Sequence, residues 1–512
     1  MNRRSFLAIG SAAAGLRARA DVPTHLWQGH DFGPGPSAPD RLNQGPFGIE
    51  QDNGWFTIAS TTPSTAPVRN YGTGLVGYTW EEGGPSLSAR RGAETLERHV
   101  EKLSGLPFVD VLYIRCDWRN VQKHPGCLEL DPVWKLTLDA ARRRNLRVAF
   151  RVQLSNTVYQ PERLAMPDFV QSQVPAVPIG RSDGVQMREP QYHHPAFQKA
   201  FAELVELLAR EFDGHPQIEF MDLMQYGFWG EGHTSNLPNP FPDYLTAERT
   251  SVAMTRRQLE AFRRTPLAVN TQPDISAVGN REVIDMVVRA GGWLRSDSVL
   301  LDEPEQIEAL SNRPPWLAVV MEDGYFRQYR IDRDYLPVDA AGVTALENTM
   351  LHTLDLGANY WSLWTEADNL LRFHERYPDV FPKLRSRLGY RVRPSWVWQR
   401  KRYGTDEIVV AFANDGVAGV PGLLRVYLES PDGKFRVSGA LDAGHPYAGK
   451  LRQASFMLPP GLEGGTLRLR AELETRGVRR PVRWACAQPL EADGSYAIRI
   501  KPHTDKDWRK GV

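Results

Sequence analysis

Residues Gln217-Ile-Glu-Phe-Met-Asp-Leu-Met-Gln-Tyr226 run directly into Gly227-Phe-Trp-Gly-Glu-Gly-His233. The first ten are a short apolar run with polar interruptions, preceded by the turn Asp213-Gly-His-Pro216, and read as a buried strand. The strand then breaks into glycines, two aromatics, one carboxylate and one histidine. Glycine lets a backbone turn sharply and approach a ligand closely. Aromatic rings offer flat faces to a sugar or a cation. Glu231 stands among them, where it can give or take a proton. The stretch reads as an active-site loop at the C-terminal end of a barrel strand.

Outward from it, the same alternation recurs. Strand patterns lie at Thr73–Trp80, Phe108–Arg115 and Leu146–Gln153 before it, and at Pro266–Thr271, Gly292–Arg295, Trp316–Met321 and Ala358–Trp364 after it. Helical spacing fills the intervals, at Ala93–Leu103, Pro132–Arg144, Pro195–Phe212, Arg281–Ala290 and Ala341–Leu354. A long insertion, 155–190, interrupts the third interval. Eight strand–helix alternations over about 300 residues predict an α/β fold, a (β/α)8 TIM barrel, at 71–384. No GxGxxG or phosphate loop follows the first strand, which argues against a nucleotide fold.

From Asp406 short alternating strands separated by Gly, Pro, Asn and Asp turns predict a small antiparallel β-sandwich, placed at 385–512 with a connector over Arg385–Arg393. Residues 21–70, rich in Pro, Gly, Asn and Thr, read as an extended segment wrapping the barrel. Residues 1–20 carry Arg3-Arg4-Ser-Phe-Leu7, a short apolar run and Ala18-Arg-Ala20, the pattern of a twin-arginine export signal. Cleavage after Ala20 predicts a periplasmic or secreted protein with no membrane anchor. The 512 residues are 41% hydrophobic and 24% charged, with a net charge of +1, so nothing points to nucleic acid or an anionic membrane as partner. Three cysteines are too few for a disulfide framework; Cys116 and Cys127 are either a bridge or two thiols.

Chemistry on a barrel belongs at the strand C-termini. Those ends collect Trp80 after strand one, Arg115 and Asp117 after strand two and Arg151 after strand three. Tyr226, Trp229, Glu231 and His233 follow strand four, Asn270 strand five and Asp297 strand six. Glu322 follows strand seven, and Trp361, Trp364 and Glu366 belong to strand eight. Glu231 and Glu322 make the decisive pair. Glycosidic cleavage needs one carboxyl to protonate the leaving oxygen and another to attack or activate water. The apolar setting of Phe228 and Trp229 is expected to raise the Glu231 pKa, as an acid requires. His233 is placed to meet a sugar hydroxyl or Glu231, and Trp361 and Trp364 to floor a sugar subsite or to pack. Arg115 and Arg151 are either ion-pair partners inside the barrel or contacts to an acidic sugar. No HExxH, CxxC or three-histidine spacing is present, so neither a catalytic metal nor a cofactor is expected.

These residues resemble glycoside hydrolase clan A, barrel glycosidases with an acid/base Glu after strand four and a nucleophile Glu after strand seven. Glu231 and Glu322 occupy those positions, and Trp361-Ser-Leu-Trp364 resembles the clan's eighth strand. More closely, residues 70–505 are similar to bacterial barrel proteins of the beta-galactosidase-like sort. Those carry a Gly-x-Trp-Gly-Glu-x-His loop and enter a sandwich through a Leu-Gly-Tyr-Arg segment, here Leu388–Arg391. The chain departs at one point: Gly230 stands where clan A has an Asn that meets the sugar 2-hydroxyl, a role that would pass to Asn270 or Gln225. The resemblance implies an exported, retaining glycoside hydrolase for an oligo- or polysaccharide, with Glu231 as acid/base and Glu322 as nucleophile. Two other readings stand beside it. One is a non-catalytic carbohydrate-binding barrel; the other is a lyase for acidic sugars using Arg115, Arg151 and Tyr226.

Overall fold

The structure, a computed structural model, describes residues 55–80, 94–156, 163–182, 184–232, 240–271, 277–297, 304–322, 345–365, 367–402, 404–462 and 464–502. Eight parallel strands close into a barrel in chain order: Gly74–Trp80, Val111–Asp117, Arg147–Gln153, Ile218–Asp222, Leu267–Asn270, Trp293–Ser296, Val319–Glu322 and Tyr360–Leu363. The last pairs with the first through Tyr360–Leu363 against Gly74–Gly77, which removes every sheet edge. Each expected strand is there, shorter or shifted by a few residues. Trp316, the expected start of strand seven, is instead exposed, and that strand begins at Val319 and ends on Glu322 itself.

Alternation along each strand sorts the side chains. Leu112, Ile114, Val148, Phe150 and Val152 point outward and share a core with Val133, Phe201 and Phe212 of the helix layer. Val76, Tyr78, Tyr113, Ala149, Phe220 and Trp293 point inward and fill the barrel. One step further along the strands the inward residues turn polar: Arg115, Arg151, Asp222, Arg295 and Glu322. The helices start where local chemistry allows. Asp131 caps Pro132–Arg144 by accepting from Val133 N at 3.1 Å, with Pro132 in the first turn. Asn145, left-handed at φ +52°, ends that helix. His194 caps Pro195–Phe212 through Ala196 N at 3.2 Å, a capping rather than a ligand role. Among the described residues no helix is long and apolar enough to cross a membrane.

The insertion folds into a hairpin, Ala176–Ser182 against Val185–Pro190. After the barrel come two antiparallel sheets. One contains Val392–Arg402, Thr405–Asn414 and Leu451–Met457; the other contains Leu423–Glu429, Arg436–Ala440, Thr466–Thr475, Val478–Val482 and Tyr496–Arg499. Their facing apolar residues, among them Val397, Val410, Leu424 and Leu469, join the barrel interior in one continuous core. The connector is short: a helix at Val380–Arg385 leads within seven residues into the strand at Val392. One expectation changes. The segment before the barrel does not simply wrap it, because Trp55–Ser60 pairs antiparallel with Val392–Arg402 and becomes a strand of the sheet after the barrel.

The sandwich meets the N-terminal end of the barrel. Tyr71 donates to the Glu219 carbonyl at 3.0 Å and Tyr390 to the Tyr71 carbonyl at 2.8 Å, while the Arg480 guanidinium lies 3.9 Å from the Tyr71 ring centroid. Glu219 accepts from Gly72 N at 2.9 Å and Tyr360 Oη at 2.5 Å, and Arg147 lies 2.9 Å away. This end is closed by stabilising contacts, and chemistry is left to the other.

Candidate active site

The C-terminal end of the barrel holds a buried network of opposite charges. Arg115 and Arg151 are register partners on strands two and three, a contact of like charges that only carboxylates can make favourable. Glu231 accepts from both guanidinium groups. Arg115 also reaches Glu322 with its other terminal nitrogen, 3.2 Å away. Arg151 continues to Asp222 at 2.9 Å, and Arg295 closes the circuit with Asp222 at 3.1 Å and Glu322 at 2.7 Å. Tyr78 donates to Glu322 at 2.5 Å while accepting from Ser362 at 2.8 Å, and Tyr113 donates to Asp222 at 2.5 Å.

Asp297 completes the arrangement, hydrogen-bonded to Glu322. Glu231, Asp297 and Glu322 each present an oxygen, all within 4.8 Å of one another. Glu231 and Glu322 are buried, whereas Asp297 is partly exposed. Burial and the neighbouring Glu322 charge push the Asp297 carboxyl up to about 7. Burial opposes ionisation of Glu322 too, but Arg295 and Arg115 outweigh it and hold that carboxylate well below its ordinary range. Three carboxyl oxygens at this spacing suit a divalent cation, but Arg115, Arg151 and Arg295 already neutralise the same cluster, and a cation would have to displace them.

The loop after strand four is a tight coil. Gly227, Gly230 and Gly232 have φ of +74°, +71° and +89°, and Trp229 has φ +56°. Backbone bonds Gln225 N to Gly230 O at 3.2 Å and Gly232 N to Tyr226 O at 3.0 Å hold it. Gly230 therefore sits where left-handed backbone favours glycine. Tyr192 Oη accepts from Gly227 N at 3.0 Å and donates to Glu189, which also accepts from Ser155. The insertion hairpin thus props the loop that carries Glu231.

Several expected site residues have other surroundings. Phe228 packs with Ile179 and Met187 of the hairpin, with Trp229 against them. The apolar setting expected around Glu231 is therefore not its nearest one: its carboxyl meets the Arg115 and Arg151 guanidinium groups. Trp361 is fully buried in the outer core and does not floor a subsite; alternation turns Ser362 inward in its stead. Trp364 is half-buried against the interior cluster, and Trp80 against the outer one. Asn270 Nδ2 donates to the Glu231 carbonyl at 3.0 Å, an amide used to hold the loop. Asp117 is buried beside Arg119 at 3.2 Å and accepts from Asn156 at 2.9 Å, its carboxyl raised by burial. Tyr226 is buried against Tyr192 and Phe241, its hydroxyl without a hydrogen-bond partner among the described residues. His233 and Glu366 lie outside the described residues.

Asp222, Tyr113 and Ser362 are central to the network and were not singled out from sequence. The signal was present: each is two residues along its strand from an inward apolar position, or inward of a residue facing the helices.

No family model matches the chain, and neither does any curated protein. Solved structures do. One is the catalytic domain of beta-amylase from Paenibacillus polymyxa, at 10% identity over 58% of this chain and 92% of that one, with a TM-score of 0.36. Another is the exo-beta-1,4-mannosidase Op5Man5 from Opitutaceae bacterium strain TAV5, at 14% over 66% of this chain and 58% of that one, TM-score 0.36. A third is endo-glycoceramidase II from Rhodococcus sp., at 13% over 77% and 99%, TM-score 0.35. No residue role is carried across from them.

Proposed function

We propose that the protein is an exported glycoside hydrolase that cleaves O-glycosidic bonds of an oligo- or polysaccharide with retention of configuration. The observation that carries the proposal is the convergence of Glu231 and Glu322, from the ends of barrel strands four and seven, to within 4.8 Å. An approach this close supports the short carboxyl separation of direct attack over the wider one that admits a water. Glu322 is the nucleophile, kept ionised by Arg295 and Arg115 and aligned by Tyr78. Glu231, the carboxyl that faces it, is the acid/base that protonates the leaving oxygen as its bond to the sugar stretches. Export rests on the Arg3-Arg4 segment and the Ala18-Arg-Ala20 ending.

The test is turnover of aryl glycosides and polysaccharides by purified protein, with Glu231→Gln and Glu322→Gln beside the wild type. The expected result is loss of activity in both variants, and unchanged turnover in both overturns the assignment. One observation favours a second reading, a non-catalytic carbohydrate-binding barrel: Glu231 and Glu322 are only 2% and 0% exposed and already engage guanidinium groups. Saturable binding of an oligosaccharide that is recovered intact would select it.

A further inference from the structure

A second concentration of charge lies where the barrel meets the sandwich, at the end away from Glu231 and Glu322. The helix Ala345–Asp355 ends there before strand eight begins at Tyr360, and Asp355 lines a cavity of about 530 Å³ with Ser64, Arg387, Arg391, Asp415 and Lys450. That volume falls in the range of about 300–1,000 Å³ usual for small-molecule sites. One buried amide holds the wall. Asn414 accepts from Arg391 N at 2.8 Å and Gly416 N at 3.1 Å, and donates to the carbonyls of Ala418 at 2.8 Å and Pro446 at 2.9 Å. Arg391 is only 3% exposed, and its side chain donates to carbonyls alone: Ser64 at 2.6 Å, Ala66 at 2.9 Å and Arg385 at 3.2 Å. Carbonyls satisfy the N–H groups but leave the buried charge uncompensated. The flanking arginines differ, since Arg385 pairs with Asp110, and Arg393 with Asp415 at 2.7 Å. No carboxylate pairs with Arg391 among the described residues, and burial pushes its guanidinium down to about 10 against the pull of Asp415.

We propose that this cavity binds a sugar acid, whose carboxylate compensates Arg391 and Lys450 and whose hydroxyls donate to Asp355. Two features select this class over a bare anion. Lys450 is exposed and its ammonium has no partner among the described residues, so the cavity offers a second positive charge. Asp355 is likewise exposed and unpaired among the described residues. Its carboxylate repels phosphate or sulfate, yet it is an acceptor that sugar hydroxyls can use. Leu354, Val417 and Leu451 add apolar surface for the carbons of a ring. The ligand touches the barrel through Asp355, the connector through Arg391 and the sandwich through Lys450, so binding also ties the two parts together. Binding there needs no turnover and is independent of the hydrolase reading.

The experiment titrates the purified full chain calorimetrically with digalacturonate, with its methyl ester and with inorganic phosphate. Saturable binding of digalacturonate is expected, with the uncharged ester weaker by about tenfold or more, the loss of a charge-assisted contact. Lys450→Glu reverses an exposed charge that has no bonded partner among the described residues. It should weaken digalacturonate by about tenfold or more while leaving the unfolding midpoint of the free protein unchanged. Arg391→Met, which also loses the carbonyl contacts, should bind no digalacturonate where it folds; where it does not fold, Lys450→Glu decides alone. Absence of digalacturonate binding by the wild type at millimolar concentration overturns the proposal. So does binding that Lys450→Glu leaves unchanged, which places the ligand elsewhere, as at the arginines of the catalytic end. Phosphate bound as tightly as digalacturonate, and lost in Lys450→Glu, marks a free-anion site and overturns the sugar class.

Discussion

Arg115 and Arg151 stand in register on adjacent strands, and both close on Glu231. Two buried cations side by side are tolerable only while the carboxylates between and beyond them stay in place. Arg151→Met removes one guanidinium from both Asp222 and Glu231. The expected cost is about 3–5 kcal/mol, the usual result of stripping one partner from a buried ion pair. Denaturant unfolding should show a lower midpoint at unchanged slope. Arg151→Lys, which restores the charge but not the two-pronged contact, should recover part of the loss.

On the hydrolase reading, the approach of Glu231 to Glu322 predicts a stereochemical outcome. Carboxyl groups about 5–5.5 Å apart give retention and those about 6.5–9.5 Å apart give inversion. With oxygens within 4.8 Å, the first-formed sugar should keep its anomeric configuration. Proton NMR during the first minutes of hydrolysis, before mutarotation, reads this directly, and an inverted first product would contradict it.

Stability should depend on pH through Asp297. Its carboxyl titrates near 7 when folded against an ordinary 3.8, so between those values the folded chain holds a proton that the unfolded chain has released. The contribution is complete below about 3.8 and is lost as pH rises through about 7. Glu322, shifted downward, acts in the opposite sense, stabilising above its ordinary range and failing in acid. Asp297→Asn should therefore flatten the decline between about pH 4 and 7 and leave the acid limb. Unfolding midpoints across that interval are the measurement, and an unaltered slope would count against the shift.

The thiols offer a check on burial. Cys116, whose thiol burial raises, and Cys486 are buried, while Cys127 is exposed, and all three are free. A native sample should expose one fast-reacting thiol and yield two more on unfolding. A Cys116–Cys127 linkage in a non-reducing peptide map would contradict this arrangement.

The barrel was legible because its strands alternate with helices of clear period, and turn residues such as Asp213–Pro216 mark the joins. The site was legible as a rim of polar residues and as the pair Glu231 and Glu322. What escaped was orientation. Trp361 and Ser362 are adjacent, and which of them faces inward depends on how strand eight pairs with Gly74–Gly77. Asp222 looked like one polar interruption of a buried strand until the register placed it beneath Arg151 and Arg295. The environment of Glu231 was misjudged for a related reason. Phe228 and Trp229 are neighbours in sequence, yet the coil turns them toward the hairpin while Arg115 and Arg151 arrive from other strands. The pairing of Trp55–Ser60 with Val392–Arg402 spans more than 330 positions, and no local pattern announces it.

That pairing ties the chain into a loop. A strand translated before the barrel can find its place only after the barrel and the strand at Val392–Arg402 have both been made. The barrel is thus flanked by two segments clasped to each other, and the joint at residues 384 and 385 is a boundary along the polymer without being one in space. Cutting there would strand an unpaired edge at one end and uncover Tyr71 at the other.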